Sequence, residues 1–128
     1  MRKFITTLIV KWYRMAAKVG DARSQYNLAL SYAKGEGVQQ DNVEALKWYH
    51  LAANQGYIDA QFNLGSIYGH GTGVPQNVVM SYKWFLLAAA LGDEEAKKAL
   101  IDLNNIMESE QIAQAQKLAH EWKPIKKA

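Results

Sequence analysis

The chain has 128 residues, of which 49% are hydrophobic and 21% are charged. This length fits one domain or one short array of repeats, and the hydrophobic content suffices for a buried core. The absence of cysteine excludes a disulfide framework, a thiol nucleophile and a cysteine metal site. The net charge of +3 does not favour nucleic-acid binding, because the basic excess is divided between the two ends of the chain.

The N-terminal segment combines basic and apolar residues. Residues 1–20 carry five basic side chains and no acidic one, and residues 4–10 form an apolar run as short as the shortest signal-peptide cores. Lys11 interrupts this run and no cleavage region follows, so a cytoplasmic location is favoured. A periplasmic or secreted location is expected if residues 1–10 belong to a signal segment. No apolar stretch reaches the ~20 residues that a membrane-spanning helix needs.

The sequence repeats itself with a period of 36 residues. Trp12, Trp48 and Trp84 follow this spacing, and residues 20–55 match residues 56–91 at 15 of 36 positions. An Ala-Ala pair follows each tryptophan, which favours a core position for the indoles over carbohydrate or base stacking. A period of this length is typical of a solenoid or array.

Each period contains two amphipathic helical patterns separated by Gly-x-Gly-Val, at 35–38 and 71–74. The first glycine of each loop can take the left-handed conformation that ends a helix. Asp21, Asp41 and Asn77 precede helical patterns as N-caps, whereas Tyr57 is a poor cap. The pattern therefore predicts an all-α chain of about seven helices. Their approximate ranges are 4–19, 21–34, 41–55, 58–69, 77–91, 93–106 and 109–122.

Two segments carry a more specific signature. Ala-Gln-Phe-Asn-Leu-Gly-Ser-Ile-Tyr-Gly-His-Gly-Thr-Gly-Val at 60–74 and Lys-Trp-Tyr-His-Leu-Ala-Ala-Asn-Gln-Gly at 47–56 resemble the Sel-1-like repeat. The resemblance covers about residues 11–103. It implies an α/α superhelix, or solenoid, of antiparallel helix pairs, related in shape to tetratricopeptide repeats. It also implies an adaptor or scaffold function, often in bacterial signalling, secretion or envelope contexts.

We interpret the chain as a single Sel-1-like repeat domain. Its expected parts are a half repeat at 1–20, repeats at 21–56 and 57–92, a degenerate third unit at 93–106 and a capping helix at 109–122. The third unit is degenerate because no Gly-x-Gly-Val loop follows it. A terminal helix with one apolar stripe, ended by Pro124, is what a solenoid needs to cover its last repeat.

The implied architecture has a concave face, lined by the first helix of each repeat. Helical geometry places one strip of residues opposite the packed Leu28/Tyr32 stripe. We predict that this strip binds a partner peptide or protein. Its members are Arg23, Tyr26, Asn27, Leu30, Lys34, Asp59, Phe62, Asn63, Ser66, His70, Lys98 and Asp102. Alternatively, Tyr26 and Phe62 pack between neighbouring helices, and Asn27 and Asn63 have a structural role.

No pattern in the sequence favours catalysis. Ser31 and Lys34 match a short Ser-x-x-Lys motif, but its companion motifs are absent and the residues lie on an ordinary repeat helix. The three histidines are scattered, and no set of residues has metal-ligand spacing. We therefore expect a non-enzymatic protein-interaction module without catalytic residues, metal or cofactor, and without nucleic acid as a partner. The alternative is an envelope-associated hydrolase or cell-wall ligand-binding protein, with a Ser, His or carboxylate site in the groove.

The first predicted helix presents more apolar residues than one neighbouring helix can cover. Phe4, Ile5, Leu8, Ile9 and Trp12 leave a candidate apolar patch on its outer side. A homodimer joined through this helix would bury the patch. A signal segment that is removed or a longer natural chain would also do so.

Overall fold

The computed structural model describes residues 2–125, and within this range it contains seven helices and no strand. The helices are α1 (Arg2–Lys18), α2 (Ala22–Lys34), α3 (Asn42–Ala53), α4 (Ile58–His70), α5 (Val78–Ala90), α6 (Glu94–Asn104) and α7 (Ser109–Glu121). The all-α prediction is confirmed, as are the seven helices among residues 2–125, with ends that agree within two residues. α1 begins at Arg2 and includes the apolar run.

The predicted caps determine where the helices begin and end. The Asp21 carboxylate accepts a hydrogen bond from the backbone N–H of Ser24, and Asp41 and Asn77 cap α3 and α5 in the same way. Tyr57 makes no side-chain cap, as expected. Gly35 ends α2 in the left-handed conformation, with φ of 72°, and its backbone N–H donates to the carbonyl of Ser31.

The helices stack in chain order into an α/α superhelix of antiparallel pairs. α2 packs against α3 and α4 against α5, while α1, α3 and α5 each also contact the helix that follows. Trp48 and Trp84 are buried in this stack, as the period predicted. Trp12, by contrast, is 69% exposed, because no helix among residues 2–125 covers the outer side of α1.

A buried glutamine ties each helix pair to the next. The Gln25 amide donates to the carbonyl of Ala17 at 3.1 Å, and Gln61 donates to the carbonyl of Ala53 at 3.2 Å. The two glutamines are 36 residues apart and at most 4% exposed. Each bond satisfies a carbonyl near the end of one helix and fixes the start of the next.

The C-terminal helix covers the end of the stack from one side. α7 packs against α5, and Ala115 on its apolar stripe is completely buried. Trp122 packs edge-on against Trp84, with ring centroids 6.4 Å apart, and its Nε1 donates to Asn54 Oδ1 at 3.2 Å. The backbone N–H of Ile125 donates to the Asn54 carbonyl. The segment after α7 therefore joins the last helix to the corner between α3 and α4.

The substitution Trp122→Ala tests this attachment. It removes the contact with Trp84 and the bond to Asn54, so we expect the free energy of unfolding to fall by about 2 kcal/mol, less than for a fully buried tryptophan. Urea denaturation measures the change. Lys123→Ala, at an exposed neighbour, is the control. Equal stability of the two variants would contradict a capping role for α7.

Candidate interaction groove

The predicted strip divides into exposed and half-buried residues. Arg23, Lys34, Asp59, His70, Lys98 and Asp102 are exposed, while Tyr26, Asn27, Leu30, Phe62, Asn63 and Ser66 are half-buried. Six of the twelve line one of two neighbouring clefts, and Ser66 lines both. The Tyr26 ring packs against the ring of Tyr49, which lines the first cleft. The strip is therefore partly open surface and partly the wall of a groove.

The first cleft lies where α2, α3 and α4 meet, with a volume of about 160 Å³. It is lined by Ala33, Asn42, Ala45, Tyr49, Asn63, Ser66, Ile67 and Thr72. The second cleft lies where α4, α5 and α6 meet, with a volume of about 510 Å³. It is lined by Phe62, Gly65, Ser66, Gly69, His70, Ser81, Phe85, Glu95, Lys98, Ala99, Asp102 and Leu103. We refer to the two clefts together as the groove.

The two clefts are the same site in successive repeats. Adding 36 to Ala33, Ala45, Tyr49, Asn63, Ser66 and Ile67 gives Gly69, Ser81, Phe85, Ala99, Asp102 and Leu103. The substitutions are not neutral, since Tyr49 becomes Phe85 and Asn63 becomes Ala99. The backbone therefore repeats while the side chains change in both directions, since Ala45 and Ser66 become Ser81 and Asp102.

An aromatic pair forms one wall of each cleft. The rings of Tyr26 and Tyr49 are tilted with centroids 6.0 Å apart, and Phe62 and Phe85, one repeat later, meet edge to face at 5.4 Å. Tyr26 also packs against Tyr57 at 5.2 Å. Both strip aromatics are therefore half-buried and in contact with an aromatic ring of a neighbouring helix.

The hydroxyl groups in the first cleft remain protonated. Burial raises the pKa of Tyr49, and the hydrogen bond from the Asn63 side chain opposes this only partly. Burial also raises the pKa of Tyr26, with a further increase from the Asp59 carboxylate. Both hydroxyls and the Asn63 amide are thus neutral hydrogen-bonding groups at the side of the groove.

At the second cleft α4 carries glycine where α2 carries alanine, and α5 approaches these glycines closely. A Cβ at Gly65 would lie 2.7 Å from the Phe85 ring, so only glycine lets this ring lie so close to the α4 backbone. Gly69 approaches Ser81 in the same way, because a Cβ at Gly69 would lie 3.0 Å from the Ser81 hydroxyl oxygen. These two close contacts set the floor of the second cleft.

The sequence analysis did not identify the residues that α3 and α5 contribute. Tyr49 and Phe85 line the clefts but belong to the second helix of each repeat, whereas the predicted strip used only first helices. One signal was available, because an aromatic residue directly follows the repeat tryptophan in all three copies, including Tyr13.

The second cleft also contains two serines, a histidine and two carboxylates. His70 Nδ1 lies 2.8 Å from the backbone carbonyl of Ser66, and no hydrogen bond joins the ring to the Ser66 hydroxyl. A serine nucleophile needs such a bond to its base. Among residues 2–125 no group of three His, Asp or Glu residues could hold a metal ion.

On another side of the array, a second set of residues follows the repeat. Arg14 Nη2 donates to the Tyr32 hydroxyl at 2.9 Å, and His50 Nε2 lies 2.9 Å from the Tyr68 hydroxyl one repeat later. His50 also packs edge-on against Trp84. Burial lowers the pKa of His50, and the nearby Lys83 ammonium lowers it further.

Comparison with known proteins assigns the repeats. The sequence profile of the Sel1 repeat matches residues 10–21, 22–57 and 58–93, which is more than half of the chain. The chain belongs to the Sel1 repeat family. Sel1 repeats generally act as protein-interaction modules and non-enzymatic scaffolds. Comparison with curated proteins gives no match.

Two solved Sel1-type structures resemble this chain. A protective antigen of uropathogenic Escherichia coli strains, displaying an SLR fold, is 32% identical with a TM-score of 0.84 over 88% of this chain. A Sel1 repeat protein from Oxalobacter formigenes is 37% identical with a TM-score of 0.71 over 73% of it. The chain spans only 24% and 39% of the lengths of these two proteins.

The buried histidine predicts a dependence of stability on pH. As pH falls below 6.5, the ordinary pKa of histidine, the unfolded chain protonates at His50 before the folded chain does. The free energy of unfolding therefore decreases until the pH passes the lower pKa of the folded state. Urea denaturation at neutral and mildly acidic pH measures this. His50→Gln should weaken the dependence of the free energy of unfolding on pH, whereas His120→Gln, at an exposed position, should not. An equal dependence in both variants and the unsubstituted chain would contradict the assignment to His50.

Proposed function

We propose that this Sel1 repeat chain binds an extended segment of a partner protein along the groove. The observation that carries the proposal is the recurrence of a cleft at repeat-equivalent positions with altered side chains. A purely structural feature would favour similar packing in both copies. Open clefts with different lining side chains are suited to binding two different side chains of one peptide.

The second cleft fits a large apolar side chain of the partner. Phe62, Phe85, Ala99 and Leu103 supply apolar walls, and the volume of about 510 Å³ exceeds that of a single side chain. An aromatic or large aliphatic anchor buried here would release ordered water and supply most of the binding energy.

The first cleft fits a smaller polar group. It offers the Tyr49 hydroxyl, the Asn63 amide and the Ser66 hydroxyl within about 160 Å³. Helices in such stacks are roughly 8–10 Å apart, and an extended peptide advances about 3.3 Å per residue. The polar residue of the partner should therefore lie about three residues from its apolar anchor.

Charge distribution along the strip favours a basic residue near the apolar anchor. Glu95 and Asp102 line the second cleft, and Lys98 is paired with Glu95 at 3.5 Å. Arg23 and Lys34 lie at the other end, on α2. A basic side chain of the partner beside the second cleft would therefore lie near net negative charge. Such an attraction orients the partner and raises the association rate more than it raises the affinity.

A random-peptide display selection on the intact chain tests the proposal. We expect selected peptides to share an aromatic or large aliphatic residue, with a polar residue about three positions away. Ser66 lines both clefts, so Ser66→Trp should fill the groove and weaken the selected peptides at least about tenfold in a fluorescence anisotropy titration.

Ser109→Trp makes the same change at an exposed residue of α7, outside the groove, and should leave peptide binding unaltered. Thermal melting of both variants establishes that they are folded. Peptides that bind Ser66→Trp as tightly as the unsubstituted chain would assign recognition to another surface. A selection that yields no shared pattern would also contradict the proposal.

A further inference from the structure

The outer side of α1 is a continuous apolar surface. Phe4, Ile5, Leu8, Trp12, Met15 and Val19 point away from the array and are between 40% and 74% exposed. Their spacing places them along one face of the helix and its C-terminal extension. The opposite face, with Val10 and Ala17, is buried in the core. We call the exposed side the α1 face.

Part of this face does not follow the repeat. The positions equivalent to Phe4, Ile5 and Leu8 are polar in the next copy, where they are Gln40, Asp41 and Glu44. There Gln40 lies in the loop, Asp41 is the N-cap and Glu44 lies in the first turn of α3, whereas α1 is already helical at Arg2. The family match likewise begins only at residue 10. The repeat architecture therefore does not account for the apolar side chains of residues 2–9.

The position of α1 is nevertheless fixed by the first repeat. The backbone of Gly37 lies so close to α1 that a Cβ there would be 2.6 Å from Val10 and 2.7 Å from the Thr6 carbonyl oxygen. Gly73 makes the equivalent approach to Asn42 on α3. Because the loop holds α1 at Thr6 and Val10, the α1 face is displayed on a rigid support.

The charges on α1 itself all have one sign. Arg2, Lys3, Lys11 and Lys18 are exposed, and residues 2–20 contain no carboxylate. Arg14, the remaining cation of the helix, is engaged with Tyr32. Glu36 in the adjoining loop lines the same cleft as Arg2 and Lys3. The rim of the apolar surface thus carries the uncompensated charges of Lys11 and Lys18, whereas Arg2 and Lys3 lie beside Glu36 at the loop.

We propose that the α1 face binds the surface of a membrane that contains anionic lipids. An apolar helix face with tryptophan and phenylalanine, flanked by lysine and arginine, is the arrangement by which helices lie in the interface of a bilayer. Its apolar side chains enter the acyl boundary and its cations contact lipid phosphates. No helix within residues 2–125 is long and apolar enough to span a bilayer, so the contact is with the surface.

A second copy of the chain fits the α1 face less well. A two-fold pairing would place Lys11 and Lys18 of both copies along one interface, without a carboxylate on either helix to neutralise them. Lipid phosphates supply the missing negative charge. The homodimer predicted from the sequence is therefore the competing outcome of the experiment.

Vesicle binding by the intact chain tests the proposal. Vesicles of phosphatidylcholine mixed with phosphatidylglycerol should sediment the protein and shift the emission of Trp12 to shorter wavelength, since Trp48 and Trp84 are already buried. Vesicles of phosphatidylcholine alone should bind much less. Phe4→Asp with Leu8→Asp should abolish binding, and Lys11→Ala with Lys18→Ala should lower affinity at least about tenfold.

Matched controls use exposed residues elsewhere. Ile101→Asp with Ile106→Asp, and Lys117→Ala with Lys123→Ala, should bind vesicles as the unsubstituted chain does. Ser66→Trp should also bind normally, which separates this proposal from that for the groove. A folded monomer that does not sediment with the anionic vesicles would overturn the proposal. Light scattering that shows a dimer, abolished by Phe4→Asp with Leu8→Asp, without vesicle binding, would assign the α1 face to a second copy instead.

Discussion

The close approach of helices at small residues is the constraint on which the rest of this structure depends. Ala29, Ala52 and Ala60 are completely buried, and the backbones around them are near enough that a larger side chain would separate the helices. At Gly65 even the methyl group of alanine is excluded, because the Phe85 ring occupies its place. Such contacts fix the distance between neighbouring helices, and the buried glutamines fix how one pair follows the next. The positions of the surface residues therefore follow from the distance between the helices.

The groove follows directly from that spacing. Where three helices meet, small residues leave room that the larger side chains at the margin do not fill, and the repeat makes this happen twice. What differs is the side chains at the wall. Tyr49 and Asn63 give hydrogen-bonding groups in one copy, and Phe85 and Ala99 give apolar surface in the next. A fixed backbone with variable walls lets one recognition surface present different chemistry at regular intervals.

The sequence predicted the fold well because the fold depends on local signals. Asp21 and Asp41 cap helices as expected, and the first glycine of each Gly-x-Gly-Val loop ends a helix. The groove was only partly predictable. Tyr49 and Phe85 lie beside a tryptophan that is plainly part of the core, and their partial opening depends on which helix follows, which is a tertiary property. The repeat also suggested that Trp12 is buried like its equivalents, but burial requires a neighbour on both sides of the helix.

The α1 face shows how a departure from the repeat gives a surface a different chemistry. In the next copy the positions equivalent to Phe4, Ile5 and Leu8 are polar, because Asp41 caps α3 and Gln40 before it is exposed. In the first copy the same positions are Phe4, Ile5 and Leu8, so the helix continues through them and its surface becomes apolar. The Gly37 contact holds this extension in register with the array.

The groove lies along α2, α4 and α6, whereas the α1 face lies on the outer side of the first helix, so both surfaces can be occupied at once. Tests that alter one surface and spare the other are therefore feasible within a single chain.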